Sequence, residues 1–309
     1  MKFFFALLAL AVTGSLLNAA PIKVVCTTGM VADVVRNVGG DRVEVKALIG
    51  EGVDPHLFKP TRDDVSKMLG ADMIFYSGLL LEGRMEDTFK KIGAKGKPVV
   101  AIAGELDKTT LSGDEHHPDP HVWMDPVLWA QTVPVVAKAL AARDPEGRAT
   151  FEANAARFTG ELKSLDEYVK RVIVTIPAER RVLITAHDAF HYLARATGIT
   201  VMSIQGISTE SEAGVADINR LVDEVVARKI PAVFVESSVP DKNVRAVMEG
   251  AAARGHTLVL GGTLFSDAMG AAGTYEGTYK GMLDHNATII TRALGGEAPA
   301  GGMSGRLKP

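Results

Sequence analysis

The sequence predicts an α/β protein of two pseudo-symmetric lobes, each a parallel sheet flanked by helices, joined by one long rigid helix. Three observations carry this. Short apolar segments of strand character alternate with helical stretches through both halves of the 309 residues, the pattern of parallel α/β units. The halves also resemble one another: setting 24–78 beside 183–238 puts strand on strand, with Ile74-Phe75-Tyr76 opposite Val233-Phe234-Val235 at an offset of 159 (233 − 74). Between them runs one long stretch of helical periodicity. The length favours division as well, because a single core stops growing at roughly 250–300 residues.

Residues 1–20 read as an export signal. Lys2 is a short basic start, Phe3 to Val12 are apolar, and small residues end the segment at Ala19 and Ala20, near which cleavage is expected. The apolar run is shorter than the roughly 20 residues that a membrane span needs. The only cysteine, Cys26, lies inside a strand-like stretch. It offers neither a disulfide nor an obvious lipid anchor, so the expectation is a periplasmic protein without a lipid anchor.

The first lobe, 21–143, has strands expected at Ile22–Thr28, Val43–Ile49, Met73–Ser77 and Lys97–Ile102. The linking helix occupies 144–176, with Asp144 as its cap, Pro145 as its first residue and Pro177 as its limit. Phe151, Ala155, Phe158, Leu162, Leu165, Val169 and Val172 recur at steps of four and three and so share one face. From 145 to 175 such a rod would reach roughly 45 Å at about 1.5 Å per residue. The second lobe, 177–309, has strands expected at Arg181–Ala186, Ile199–Ile207, Pro231–Glu236 and His256–Gly261. Its last stretch, 295–309, is rich in Gly and Pro and is expected to fray.

Composition excludes several function classes. With 47% hydrophobic and 23% charged residues the chain is neither disordered nor collagen-like, and one cysteine makes no disulfide scaffold. Basic and acidic residues, 34 against 37, nearly balance, so no single-signed field invites nucleic acid. No phosphate-binding Gly-Lys-Ser/Thr loop, Gly-x-Ser-x-Gly elbow or His-Glu-x-x-His motif is present.

The chemistry lies in the eight histidines. His56, in Gly52-Val53-Asp54-Pro55-His56, follows the second strand, at the carboxyl edge where α/β proteins bind ligands. His121 sits in Pro118-Asp119-Pro120-His121-Val122-Trp123-Met124-Asp125-Pro126, which three prolines stiffen. His187 follows the first strand of the second lobe, with Asp188 a candidate cap for the next helix. Asp267, in Thr263-Leu264-Phe265-Ser266-Asp267, follows the last strand. His116 and His117 read as a solvated tract able to collect ions weakly, His191 as a partly exposed helical residue, and His256 and His285 as structural. Two groups from each lobe, three imidazoles and a carboxylate in all, are the number and type for a closed site taking Zn²⁺ or Mn²⁺.

These segments, together with Thr185-Ala186-His187-Asp188-Ala189-Phe190 and Leu264-Phe265-Ser266-Asp267-Ala268-Met269-Gly270, resemble the zinc- and manganese-binding solute-binding proteins of ATP-binding-cassette importers. The resemblance covers nearly the whole mature chain. It implies a metal held in the cleft by His56, His121, His187 and Asp267 and handed to a membrane permease. Manganese-dedicated members have Glu at the third position, and His187 leans towards zinc. The long His-rich loop of some zinc-specific members is reduced here to His116 and His117. The expectation is a monomer that is not an enzyme, takes no nucleic acid or small organic substrate, and loses affinity as pH falls through about 6.5, the ordinary imidazole value. The rivals are a secreted zinc hydrolase, with Glu236 as its base or an alternative ligand, and an adhesin whose metal is structural.

Overall fold

The computed structural model describes residues 20–114 and 117–308; all but the last residue of the expected export signal, 1–20, and His116 lie outside the described residues. The first half alternates strand and helix: β1 (Ile22–Cys26), α1 (Gly29–Gly39), β2 (Val43–Ala47), α2 (Arg62–Gly70), β3 (Met73–Tyr76), α3 (Glu86–Gly93) and β4 (Val99–Ala101). All four strands fall within the expected segments and form one parallel sheet in the order β2-β1-β3-β4, with Val24 opposite both Val45 and Met73. Thr28 caps α1, accepting from the Val31 amide, and Thr61 with Asp64 forms a capping box on α2. Helices α4 (Pro126–Ala130) and α5 (Val133–Arg143) then lead to α6 (Arg148–Ile173).

The linking helix α6 is 26 residues long, about 39 Å at about 1.5 Å per residue. It starts later than expected because Pro145–Gly147 form a 3₁₀ turn, whose Gly147 amide the Asp144 carboxylate accepts at 3.2 Å. All seven residues of the periodic face are buried. Phe151, Phe158, Leu162 and Leu165 are wholly so. One continuous core joins α6 to Met30 and Val34 of α1, Trp129 of α4, and Tyr279 and Met282 of the second half.

The second half runs β5 (Val182–Thr185), α7 (His191–Thr197), β6 (Thr200–Ser203), α8 (Val215–Arg228), β7 (Ala232–Glu236), α9 (Lys242–Ala253), β8 (Val259–Leu264) and α10 (Tyr279–Ala293). Its parallel pairs are β5–β6 and β7–β8, and β5 lies beside β7. This reproduces the spatial order of the first half.

Three expectations need correction. Strand β8 begins and ends three residues later than expected. His256 is turned away from the ladder, its Nε2 2.7 Å from the Ile230 carbonyl oxygen. The glycines that were expected to end the strand instead form a bulge within it, beside the register shift at Val233/Phe234. A side chain at Gly261 would lie 2.6 Å from the Phe234 ring, and Gly262 has φ +145. Second, the described part of 295–308 is docked. The Asp284 carboxylate accepts the Met303 amide at 2.8 Å, and Leu307 is buried. Third, Asp188 does not cap α7, whose N-cap is Phe190 without a side-chain bond. Among the described residues no helix is long and apolar enough to cross a membrane.

Candidate metal centre

Two Asp-Pro-His turns of the first lobe deliver imidazoles to the interlobe seam. In each, the histidine amide donates to the aspartate two residues earlier: His56 to Asp54 Oδ1 at 2.8 Å, and His121 to Asp119 Oδ1 at 3.0 Å. At His121 the same carboxylate oxygen also accepts the ring Nδ1–H, at 2.7 Å. Across the seam, His187 follows β5 and is held by Glu236 at the end of β7. Its amide donates to Oε1 at 2.9 Å and its Nδ1–H to Oε2 at 2.5 Å. Because an ionised carboxylate only accepts, Nδ1 carries a proton in both rings and each Nε2 faces the seam.

Asp267 closes the set. Its backbone is tied to the first lobe through the Trp123 indole N–H, which donates to the Ser266 carbonyl oxygen at 2.8 Å. The Tyr279 hydroxyl in turn donates to the Trp123 carbonyl at 2.6 Å. His56, His121, His187 and Asp267 are all buried, and one candidate ligand atom from each lies within 4.8 Å of the others. His121 Nε2 is 3.4 Å from His56 Nε2 and 3.3 Å from His187 Nε2. Asp267 lies 3.3 Å from His121 Nε2, 3.2 Å from His187 Nε2 and 3.8 Å from His56 Nε2. A tetrahedron with metal–ligand bonds of about 2.0–2.1 Å has edges of about 3.3 Å, so the spacing fits one first-row ion. Both Asp267 oxygens are buried and face only imidazole Nε2 atoms, a pocket of donor atoms that one cation would satisfy together.

Burial opposes charge on all four groups, and the carboxylates decide the outcome. His121 is pushed up to about 9 because Asp119 and Asp267 outweigh its burial. Glu236 and Asp267 likewise raise His187 well above its ordinary value, and the imidazoles hold Asp267 well below its own despite burial. At His56 burial outweighs Asp267, which stands farther off at 3.8 Å, and pulls the ring down to about 4.

The other histidines stand apart. His117 is exposed, pairs with Asp114 at 3.5 Å, and lines a cavity of about 610 Å³ whose inner wall includes His56. His191 is 44% exposed and outside the cluster, 3.2 Å from Asp188 and 3.7 Å from Asp119, the carboxylate that holds His121. His285 Nε2 lies 2.9 Å from the Thr263 carbonyl oxygen. Sequence reasoning missed the roles of Asp119 and Asp54. The signal was there in the repeated Asp-Pro-His triplet, since an aspartate two residues before a histidine can accept its amide in an Asx turn. Glu236, suspected as a base or an alternative ligand, is occupied with both N–H groups of His187.

The family described as zinc-uptake complex component A, periplasmic (ZnuA), matches residues 24–293. The chain belongs to this family. It is 44% identical over 275 residues to the manganese-binding lipoprotein MntA of Bacillus subtilis, spanning 88% of this chain and 90% of that protein. It is 46% identical over 272 residues to the zinc-binding protein TroA of Treponema pallidum, spanning 88% of each. The solved structure of that periplasmic zinc-binding protein superposes with a TM-score of 0.86, covering 89% of this chain and 99% of that one. The ZnuA-family fold and the α/β class expected from sequence agree.

Proposed function

We propose that this chain captures one divalent transition-metal ion, zinc or manganese, between its lobes and delivers it to the membrane permease of an ATP-binding-cassette importer. The observation that carries the reading is the convergence of three Nε2 atoms and one buried carboxylate at edges suited to a single ion. His56, His121, His187 and Asp267 are the ligands in this reading. Three imidazoles favour zinc slightly, as does its place above manganese in the affinity order. The relatives support both metals, one being named for zinc and the other for manganese. The lobes are 21–143 and 177–309, and 144–176 is the bridge.

The ion is cargo and no catalysis is assigned. Four protein groups complete a tetrahedral shell, which leaves no position for an activated water, and Glu236, the suspected base, is engaged by His187. The protein acts in the periplasm as a monomer, without a small organic substrate or nucleic acid. Its one cysteine, Cys26, is wholly buried in β1, which argues against an anchor at that residue.

Native mass spectrometry of metal-stripped protein offered equal Zn²⁺ and Mn²⁺ tests the reading. One bound ion per chain is expected, lost in Asp267→Ala and shifted towards manganese in His187→Glu. Retention of the ion by Asp267→Ala would overturn the ligand assignment, and zinc-dependent hydrolysis abolished by Glu236→Gln would overturn the transport role.

A further inference from the structure

We propose that Thr209, in the second lobe, is a positioning residue for His56, so that this ligand reaches the ion only while the lobes are together. The inference rests on the metal-site reading above. It starts from an asymmetry among the three imidazoles. The rings of His121 and His187 are each fixed by a carboxylate of their own lobe, Asp119 and Glu236. Among the described residues, nothing bonds the Nδ1 of His56; its backbone alone is held, through the Asp54 carboxylate.

The remaining oxygen of Asp54 is held from across the seam. Thr209, in the loop between β6 and α8, donates its hydroxyl to Asp54 Oδ2 at 2.5 Å and is buried. The next residue, Glu210, pairs with Arg84 of the first lobe at 2.9 Å, on another wall of the 610 Å³ cavity. Two adjacent residues of one loop thus hold the first lobe at two points, and both bonds break if the lobes part. The Arg84 pair is partly exposed and adds little strength. The Thr209 bond is the shielded one, and its acceptor is charged.

The same cavity gives the arrangement its consequence. Of the four ligands only His56 lines it, so the path from the ion to solvent begins at that ring. The loop carrying His56 also runs close to the second lobe, since a side chain added at Gly52, with φ +67, would lie 3.3 Å from the Ser237 carbonyl oxygen. Removing the Thr209 hydroxyl frees Asp54, loosens the His56 turn and opens the exit without altering any ligand.

Zinc release from the full-length loaded protein into excess chromogenic chelator, followed by stopped flow, tests this. Thr209→Val is expected to release zinc about tenfold faster, the scale of one hydrogen bond to a charged acceptor, and Thr209→Ser to stay within about twofold of wild type. Asp54→Ala should be at least as fast as Thr209→Val, and the double variant no faster than Asp54→Ala alone, because both act through one bond. In the Co²⁺-loaded protein, Thr209→Val should weaken the tetrahedral visible bands and Thr209→Ser should restore them. Unchanged release in Thr209→Val, release by Thr209→Ser as fast as by Val, or multiplicative effects in the double variant would overturn the inference. If Thr209→Val fails to fold, the pair Asp54→Ala and Thr209→Ser still decides: fast release by the first with wild-type release by the second is expected, and wild-type release by Asp54→Ala overturns it. A wild-type chain that bound no ion would instead overturn the site reading.

Discussion

Metal capture should expel about one proton or more at pH 8, where a site of ordinary imidazoles would expel almost none. Bound imidazoles must be neutral at Nε2. In the metal-free protein the carboxylates raise His121 to about 9 against the effect of burial, and raise His187 well above its ordinary value. His121 therefore keeps its second ring proton at pH 7 to 8, and His187 is shifted in the same direction. His56, lowered to about 4 by burial, is already neutral. The second proton of His121 must leave for each ion bound, so log K rises by about one or more for each pH unit up to roughly pH 9, then less steeply as His121 deprotonates by itself. Each proton released makes one pH unit worth about tenfold in affinity, about 1.36 kcal/mol. The window lies higher than the 6.5 expected from sequence because the carboxylates are close enough to outweigh desolvation. Calorimetric titration of zinc into the stripped protein at pH 8, in buffers of differing ionisation enthalpy, counts the protons directly. Release of well under one proton per ion would refute the assignment of charge to His121.

Glu236→Gln should keep the fold but weaken zinc binding about 10- to 100-fold, because the amide is a poorer acceptor for His187 Nδ1–H and the ring becomes a weaker donor; equilibrium competition against a chelator reads this. Phe158→Ala in α6 should cost about 3–5 kcal/mol of stability in urea unfolding, since its ring is wholly buried in the shared core. Gly302→Ala should destabilise the docked C-terminal segment and speed its limited proteolysis, because φ is +71 and the added carbon would clash with the Asp284 carboxylate. Saturating zinc at about 1,000 times its Kd should raise unfolding free energy by about 4 kcal/mol, and its removal by chelator should reverse the shift in Tm.

Much of the fold was legible because its signals are local. Each of the eight strands was visible as a short segment of strand character overlapping the observed one, and the α6 face followed from steps of four and three. The misreadings came where a distant contact overrides local preference. Gly261 and Gly262 look like a strand's end, yet they are a bulge because the Phe234 ring needs the space. The segment 295–308 looks loose in composition, but Asp284, a buried carboxylate on α10, accepts its backbone. At the site, the four candidate ligands stood out because each follows a strand or a proline-stiffened turn. Their supporting partners did not, since Thr209 with Asp54 and Trp123 with Ser266 are pairings across the seam that no spacing encodes.

The apolar interior that runs without a break along α6 into both lobes has a consequence for anyone who would recombine this scaffold. A graft taking one half alone would strip a face from the helix and leave Phe158 and Tyr279 facing water. Chimaeras between relatives of different metal preference should therefore exchange the loops bearing His187 and Asp267 while leaving that shared spine whole.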